Sequence, residues 1–337
     1  MVGDTNGWGG AGGEGTLNER AIDTSYEPFS QEPEYLALNR WFIQSVVPHL
    51  DRCQRVLDLA CGAGTLTELF IDILQDANFG GVTGGGLFPR MVLGIDISRE
   101  SLKLAQAHLA TLGSQVIVGL VEASADNPPV GTAAVDLILL GNAIHCFADK
   151  DALLRETIRV LRPEGIFAFN SSFYAGTIVP GTEEFYHGWL KASLEYIRQK
   201  DIESRQRGLG GITRVRGHGR PAFSTRWLSP SEYSELLDRN GFEVKTVGER
   251  VYAMSQRNLE SVGAYAGLAE VLLSGYPTAV ACEALERSVG PAFGAVGVGV
   301  IHRSSLEIVA VKRGGGARLQ CARERQLKSK RVSSSRR

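Results

Sequence analysis

The sequence predicts an α/β protein built on a doubly wound, mostly parallel β-sheet. Between residues 55 and 170, short β-rich apolar runs alternate with helical stretches. The runs are apolar on both faces, as strands covered by helices on either side must be. One of them, Val56-Leu57-Asp58-Leu59-Ala60, leads through Cys61-Gly62-Ala63-Gly64 into a helix starting near Thr65. Ligands in such folds sit at the carboxyl ends of the strands.

Taken in order, the first helix is expected over 32–50, with apolar residues at Tyr35, Leu36, Leu38, Trp41, Phe42 and Val46. Strands are expected at 55–60, 91–96, 116–122, 135–140 and 166–170. The helices between them fall at 65–76, 98–112 and 149–161, the last stopped by Pro163 and Gly165. The alternation then pauses over 171–228, a stretch rich in aromatics and then in arginine. Ser229-Pro230-Ser231-Glu232 marks the next helix, a capping box with proline in the first turn, and Asn240-Gly241 closes it. Two last strands, 243–254 and 305–313, flank an insertion of helical character over 255–304. Gly-rich 80–86 reads as a surface loop in the second strand–helix unit. The domain limits predicted are a disordered Gly-rich stretch at 1–20, a single folded domain at 21–313 and a disordered basic tail at 314–337.

Composition narrows the classes of function. Of 337 residues, 43% are hydrophobic and 22% charged, which is ordinary for one large domain. With 36 basic and 37 acidic residues the net charge is −1, so no overall field favours nucleic acid or a membrane surface. The balance hides an acidic body and a basic tail, because ten Lys or Arg and a single acid, Glu324, lie from Lys312 onward. Cys53, Cys61, Cys146, Cys282 and Cys321 are widely spaced with no CxxC pair, so neither a disulfide framework nor a structural zinc site is expected. No metal is predicted. The N-terminal stretch lacks a basic segment followed by an apolar one, and no apolar run approaches the roughly 18 residues of a membrane span. A cytoplasmic location is the expectation.

The glycine turn carries the first chemical signal. A helix N-terminus beyond Gly62 and Gly64 offers free N–H groups and partial positive charge, and the glycines allow a ligand close to the backbone. A dinucleotide site expects a third glycine three residues on, where this chain has Thr67. Asp58, four residues before Gly62, would repel a pyrophosphate and suits a cationic amino-acid head group. Asp96, at the end of the next strand, can accept both hydroxyls of a ribose; as an alternative it could cap the helix that begins near Ser98.

Together with the Glu122–Pro129 and Asp136–Phe147 segments and Leu161-Arg162-Pro163-Glu164-Gly165, these residues resemble the class I S-adenosylmethionine-dependent methyltransferases. The resemblance extends over roughly 35–313 and is strongest at 54–170. It implies a Rossmann-like sheet of seven strands with the last antiparallel, helical lid insertions at about 171–228 and 255–304, and S-adenosyl-L-methionine as cofactor. By the same resemblance Asp58 and Ala60 lie near the methionine end and Gly62 and Gly64 form the turn beneath it. Asp96 takes the ribose hydroxyls and Ile97 packs on adenine. Ser124 stands where the family usually has an acid for the adenine amino group, and Ala125 offers a backbone N–H. Asn142 and His145 face the methyl group. His145 is the candidate general base, and a buried structural histidine is the competing reading. Asn127-Pro128-Pro129-Val130 looks like a motif of amino-group methyltransferases but lacks the aromatic residue and precedes strand four; it is read as a decoy.

The expected acceptor is a small, partly hydrophobic molecule, methylated by in-line displacement in an enclosed pocket. Tyr174, Tyr186 and Trp189 are the candidate acceptor residues, with core packing as their alternative. Arg205, Arg207, Arg214, Arg216, Arg220 and Arg226 could grip an anion or form a solvated face. Three other functions compete: a nucleic-acid methyltransferase using the basic tail, an NAD(P)-dependent oxidoreductase, and a catalytically silent cofactor-binding interaction protein. Nucleic acid is the less expected partner, and oligomeric state is not legible.

Overall fold

The computed structural model describes residues 26–50, 54–75, 91–110, 116–215 and 226–314. The expectations for residues 1–20, 80–86 and 315–337, and those for Cys53, Cys321, Arg216 and Arg220, lie outside the described residues.

The chain enters through a one-turn helix, α1 (Glu27–Ser30), and then α2 (Pro33–Val46), which tightens into a 3-10 turn at Val47–His49. Next come β1 (Arg55–Leu59), α3 (Thr65–Gln75), β2 (Met91–Asp96), α4 (Arg99–Leu109), β3 (Ile117–Glu122), β4 (Val135–Leu140), α5 (Lys150–Val160) and β5 (Leu161–Ser171). The remainder is α6 (Glu183–Gln206), α7 (Pro230–Arg239), β6 (Phe242–Ser255), α8 (Gln256–Gly263), α9 (Ala266–Leu272), α10 (Thr278–Val296) and β7 (Val300–Lys312). The strands form one seven-stranded sheet in the order β3-β2-β1-β4-β5-β7-β6. β1 to β5 pair in parallel, and β7 runs antiparallel to both β5 and β6. This is the predicted doubly wound sheet with its last strand reversed.

Alternate residues of the central strands fill two separate cores, which explains why the strands are apolar throughout. Leu57, Ile138, Leu140, Phe167 and Phe169 face α5 and α7. Val56, Leu137, Leu139, Ile166 and Ala168 face α2 and α3 with Phe42, Ile43 and Phe70. A third apolar cluster joins α6 to the α8–α10 insertion above the strand ends, and Phe29 and Leu38 of the N-terminal helices pack into it.

Two strands are longer than the sequence suggests. β5 begins at Leu161 rather than 166, because Leu161 already pairs with Val135, and Arg162-Pro163-Glu164-Gly165 bulge out before Ile166 pairs with Leu137. Buried Asp136 fixes that bulge: its carboxylate accepts from the Gln54 and Arg55 amides, each at 2.9 Å, and from Arg162 Nε at 2.7 Å. β7 begins at Val300, five residues early, because its first residues complete the antiparallel ladder with the end of β6. The capping box forms as read, with Ser229 Oγ accepting from the Glu232 amide and Glu232 Oε2 from the Ser229 amide. Among the described residues no helix is long and apolar enough to cross a membrane.

Candidate active site

The carboxyl ends of β1, β2, β3 and β4 open onto a cavity of about 630 Å³. Its floor is the turn after β1. Gly62 and Gly64 both have positive φ, +54° and +84°. A Cβ at Gly64 would lie 2.9 Å from the Leu109 side chain, so this glycine is also what lets α4 close on the turn. The two glycines frame the turn, while their neighbours Asp58, Ala60, Cys61, Ala63 and Thr65 line the cavity. Ala60 adopts the left-handed region too, at φ 53°. That conformation costs a non-glycine residue about 1–3 kcal/mol and persists only where its surroundings impose it.

Asp58 is buried, and Thr67 Oγ1 donates to its Oδ2 at 2.7 Å. Its other oxygen, Oδ1, is also buried and has no hydrogen-bond partner. Burial pushes the carboxyl up to about 7; the Thr67 bond opposes this and nearby Asp96 adds to it. Thr67, where a dinucleotide turn has glycine, is thus the residue that orients Asp58. An unpaired carboxylate oxygen in a cavity wall is an acceptor prepared for an ammonium or a hydroxyl.

Asp96 closes the turn from the second strand. Its Oδ2 accepts from the Gly62 amide at 2.9 Å and its Oδ1 from the Ser98 amide at 2.8 Å. The N-cap of α4 is Ser98, whose side chain accepts from the Ser101 amide, so the capping alternative for Asp96 does not hold. Beside it Ile97 is 73% exposed, an apolar side chain presented at the cavity rim. Ser124 and Ala125 continue the same wall. Ser124 Oγ donates to Asp126, so an acid stands one hydrogen bond behind the position where the sequence lacks it.

Asn142 and His145, which follow β4, also line the cavity. Asn142, at φ 46°, is held by a chain of amides. Its N–H donates to Asn170 Oδ1 at 2.8 Å, Asn170 Nδ2 donates to Asn39 Oδ1 at 3.0 Å, and Asn142 Oδ1 accepts from the Ser172 amide at 2.8 Å. Its own Nδ2 donates to the Tyr26 hydroxyl at 2.7 Å. His145 is buried, with Nδ1 3.1 Å from Ser171 Oγ and its ring 4.3 Å from that of Phe173. Burial holds its pKa well below the ordinary value, and the charges of Lys150 and Arg303 lower it further. The imidazole is neutral, yet the same surroundings oppose its becoming a cation.

The three candidate acceptor residues are placed elsewhere. Tyr174 is in the core under α7, its hydroxyl on Glu249 and Ser304. Trp189 and Tyr186 pack between α6 and the insertion helices, and Trp189 Nε1 donates to the Leu285 carbonyl at 2.7 Å. None of the three lines the cavity, because 3.6-residue periodicity turns the aromatic face of α6 toward α10. The cavity's aromatic walls are Phe173, Phe147 and three residues outside the candidate set, Tyr26, Tyr35 and Tyr265. Tyr26 stacks edge-on against Tyr35 and Tyr265 at centroid distances of 5.5 and 5.0 Å. Tyr26 precedes the helical pattern and Tyr265 sits at a helix junction, so neither belongs to a periodic face that sequence could assign. Arg205 and Arg226 are engaged by Asp201 and Glu232, and Arg214 lies over Tyr276. The Asn127–Val130 segment is structural: Arg159 donates to the Val130 and Pro128 carbonyls. Among the described residues no group of three His, Cys, Asp or Glu side chains could hold a metal ion.

Comparison with known proteins agrees with this geometry. Residues 50–207 match a family model described as a methyltransferase domain. The chain is 34% identical over 156 residues to the ubiquinone/menaquinone biosynthesis C-methyltransferase UbiE of Psychromonas ingrahamii, covering 45% of this chain and 57% of that protein. It is 38% identical over 125 residues to a methyltransferase of Claviceps purpurea, covering 36% of this chain and 37% of that one. The matched segments thus span less than two thirds of either relative. The solved structure of the YcgJ protein of Bacillus subtilis aligns with a TM-score of 0.49 at 17% identity, over 83% of this chain and 100% of that one. The matched segment contains β1 to β5, the glycine turn, Asp96 and the Asn142–His145 wall, so over these elements the chain is similar to a methyltransferase domain.

Proposed function

We propose that the protein transfers a methyl group from S-adenosylmethionine to a small, partly hydrophobic acceptor. The observation that carries this reading is a single cavity with a carboxylate end and an aromatic end. The unpaired Oδ1 of Asp58 suits the cofactor's ammonium, and Asp96 has lone pairs left for ribose hydroxyls after accepting its two amides. Ile97 offers an apolar face for adenine, with Ser124 and Ala125 at its edge. When bound, the cofactor supplies an electrophilic methyl on a sulfonium. The chain's own part is to hold the acceptor in line with that methyl and to exclude water. Phe147, Phe173 and the Tyr26–Tyr35–Tyr265 cluster would form that closed acceptor end. His145, kept neutral, orients the acceptor and can take a hydrogen bond from it.

The test is isothermal titration with S-adenosylmethionine, S-adenosylhomocysteine and NADH. Micromolar binding of the first two without the third is the expected result. Tight NADH binding, or no binding of either adenosyl ligand, would overturn the reading in favour of an oxidoreductase or an empty scaffold.

Asp58 adds a pH dependence. Only its ionised form attracts an ammonium, and its carboxyl titrates at about 7 in the free protein. Affinity for S-adenosylhomocysteine is therefore expected to rise by up to about tenfold per pH unit below that value, then level off above it. Asp58→Asn should flatten the profile. A wild-type profile already flat between about pH 5 and about pH 8 would remove Asp58 from the ammonium site.

A further inference from the structure

Arg303, on β7, is 5% exposed and has no carboxylate partner among the described residues. Its Nη2 donates to the Ser172 carbonyl at 2.8 Å and approaches Thr177 Oγ1 at 3.2 Å, while its Nε is buried with no partner. The ionisable side chains that its charge meets are Tyr186, Tyr252, Tyr26 and Tyr174, together with His145, whose pKa it lowers. The hydroxyl of Tyr186 is itself buried and unsatisfied. A guanidinium stays charged in such a place, and a buried charge without a counter-ion costs several kcal/mol. Two unpartnered donors beside one buried cation are a donor set that suits an anion.

The location ties this buried charge to the cavity. The Arg303 guanidinium carbon is 5.5 Å from the ring centroid of Phe173, and Phe173 and Tyr26 both line the cavity. A second buried cation lies at the same end. Among the described residues Lys150 Nζ donates to the Phe147 carbonyl alone, at 2.8 Å, and has no acid partner either. The two acids of the cavity, Asp58 and Asp96, stand on β1 and β2, three and four strands from Arg303 on β7. The site is thus polarised, negative where a cationic cofactor would lie and positive where the acceptor would lie.

We propose that the acceptor carries a carboxylate, received by Arg303 with the Tyr186 hydroxyl once the Phe173 side chain turns aside. This rests on reading the cavity as the methyl-transfer site. Phe173 is then the partition between the cavity and the cationic recess. The charge on Arg303 selects acceptors by anion recognition, and the surrounding aromatic rings select their apolar bodies.

The experiment is titration of the full chain, saturated with S-adenosylhomocysteine, with matched pairs of probes: phenylacetate against phenylacetamide, and hexanoate against hexanamide. Each carboxylate is expected to bind at least about tenfold more tightly than its amide, the effect of one charge-assisted pair. Arg303→Met should erase the preference, Arg303→Lys should keep part of it, and Tyr186→Phe should reduce it a few-fold. Equal binding within each pair, no carboxylate binding at millimolar concentration, or an unchanged preference in Arg303→Met would overturn the proposal. If Arg303→Met does not fold, the wild-type pairs together with Tyr186→Phe decide. Binding of S-adenosylhomocysteine is read separately in the same titrations, so failure of the cofactor reading is distinguishable from failure of this one.

Discussion

Replacing Asp96 with alanine is expected to weaken binding of S-adenosylhomocysteine by at least about a hundredfold, to the edge of detection by titration. The carboxylate joins two strand ends: Oδ2 holds the Gly62 amide in the glycine turn and Oδ1 holds the Ser98 amide at the start of α4. Each such bond to a charged acceptor contributes about 1.5–3 kcal/mol. Removing both loosens the turn, and on the proposed reading the ribose hydroxyls then lose their acceptor as well. About 2.8 kcal/mol corresponds to a hundredfold in affinity, so the loss of one strong bond or two moderate ones is enough. Asp96→Asn keeps one acceptor oxygen and should fall between wild type and alanine. Thermal melts without ligand separate the two effects, since a folded alanine variant that binds like wild type would place the ribose elsewhere.

The parts of this site legible in the sequence are those fixed by the chain's local path. Asp58, the Gly62–Gly64 turn and Asp96 stand at the ends of strands whose apolar runs mark them, and a parallel sheet brings strand ends to one edge. Asn142 and His145 follow β4 for the same reason. The aromatic wall of the cavity was not legible, because its residues converge from separate elements: Tyr26 before α2, Phe173 after β5 and Tyr265 between α8 and α9. No spacing rule relates them. Helical periodicity was informative about Trp189 in the opposite sense, since a residue on the apolar face of a long helix is directed at whatever that helix packs on. Likewise Leu161–Gly165 ended a helix as read, yet also began β5, because the bulge at Asp136 lets the chain pair with β4 at once. Side-chain pairs of long sequence separation, such as Asn170 with Asn39, are set by tertiary packing and leave no local trace.

Trp189→Ala is expected to destabilise the protein by about 3–5 kcal/mol while leaving affinity for S-adenosylhomocysteine within about twofold of wild type. Its ring is 2% exposed and lies 5.9 Å from that of Phe185, in the cluster where α6 meets α10. The contact is close on the far side as well, since a Cβ added at Gly263 of α8 would come within 3.2 Å of Trp189 Cζ2. Truncation therefore opens a void between three helices and strands the Leu285 carbonyl, whose indole partner sits at 2.7 Å. An unsatisfied buried acceptor adds about 1–3 kcal/mol to the cost of the void. Trp189→Phe keeps most of the volume but not the donor, so it should lose the smaller part. Urea denaturation measures both, and a change of midpoint at constant slope identifies the loss as folded-state packing. Because α6 carries Tyr186 and Tyr265 follows α8, a large loss would mean that the aromatic end of the cavity is built on the packing of α6 against α8 and α10. A stability change below about 1 kcal/mol, together with a lost acceptor response, would return Trp189 to the acceptor site.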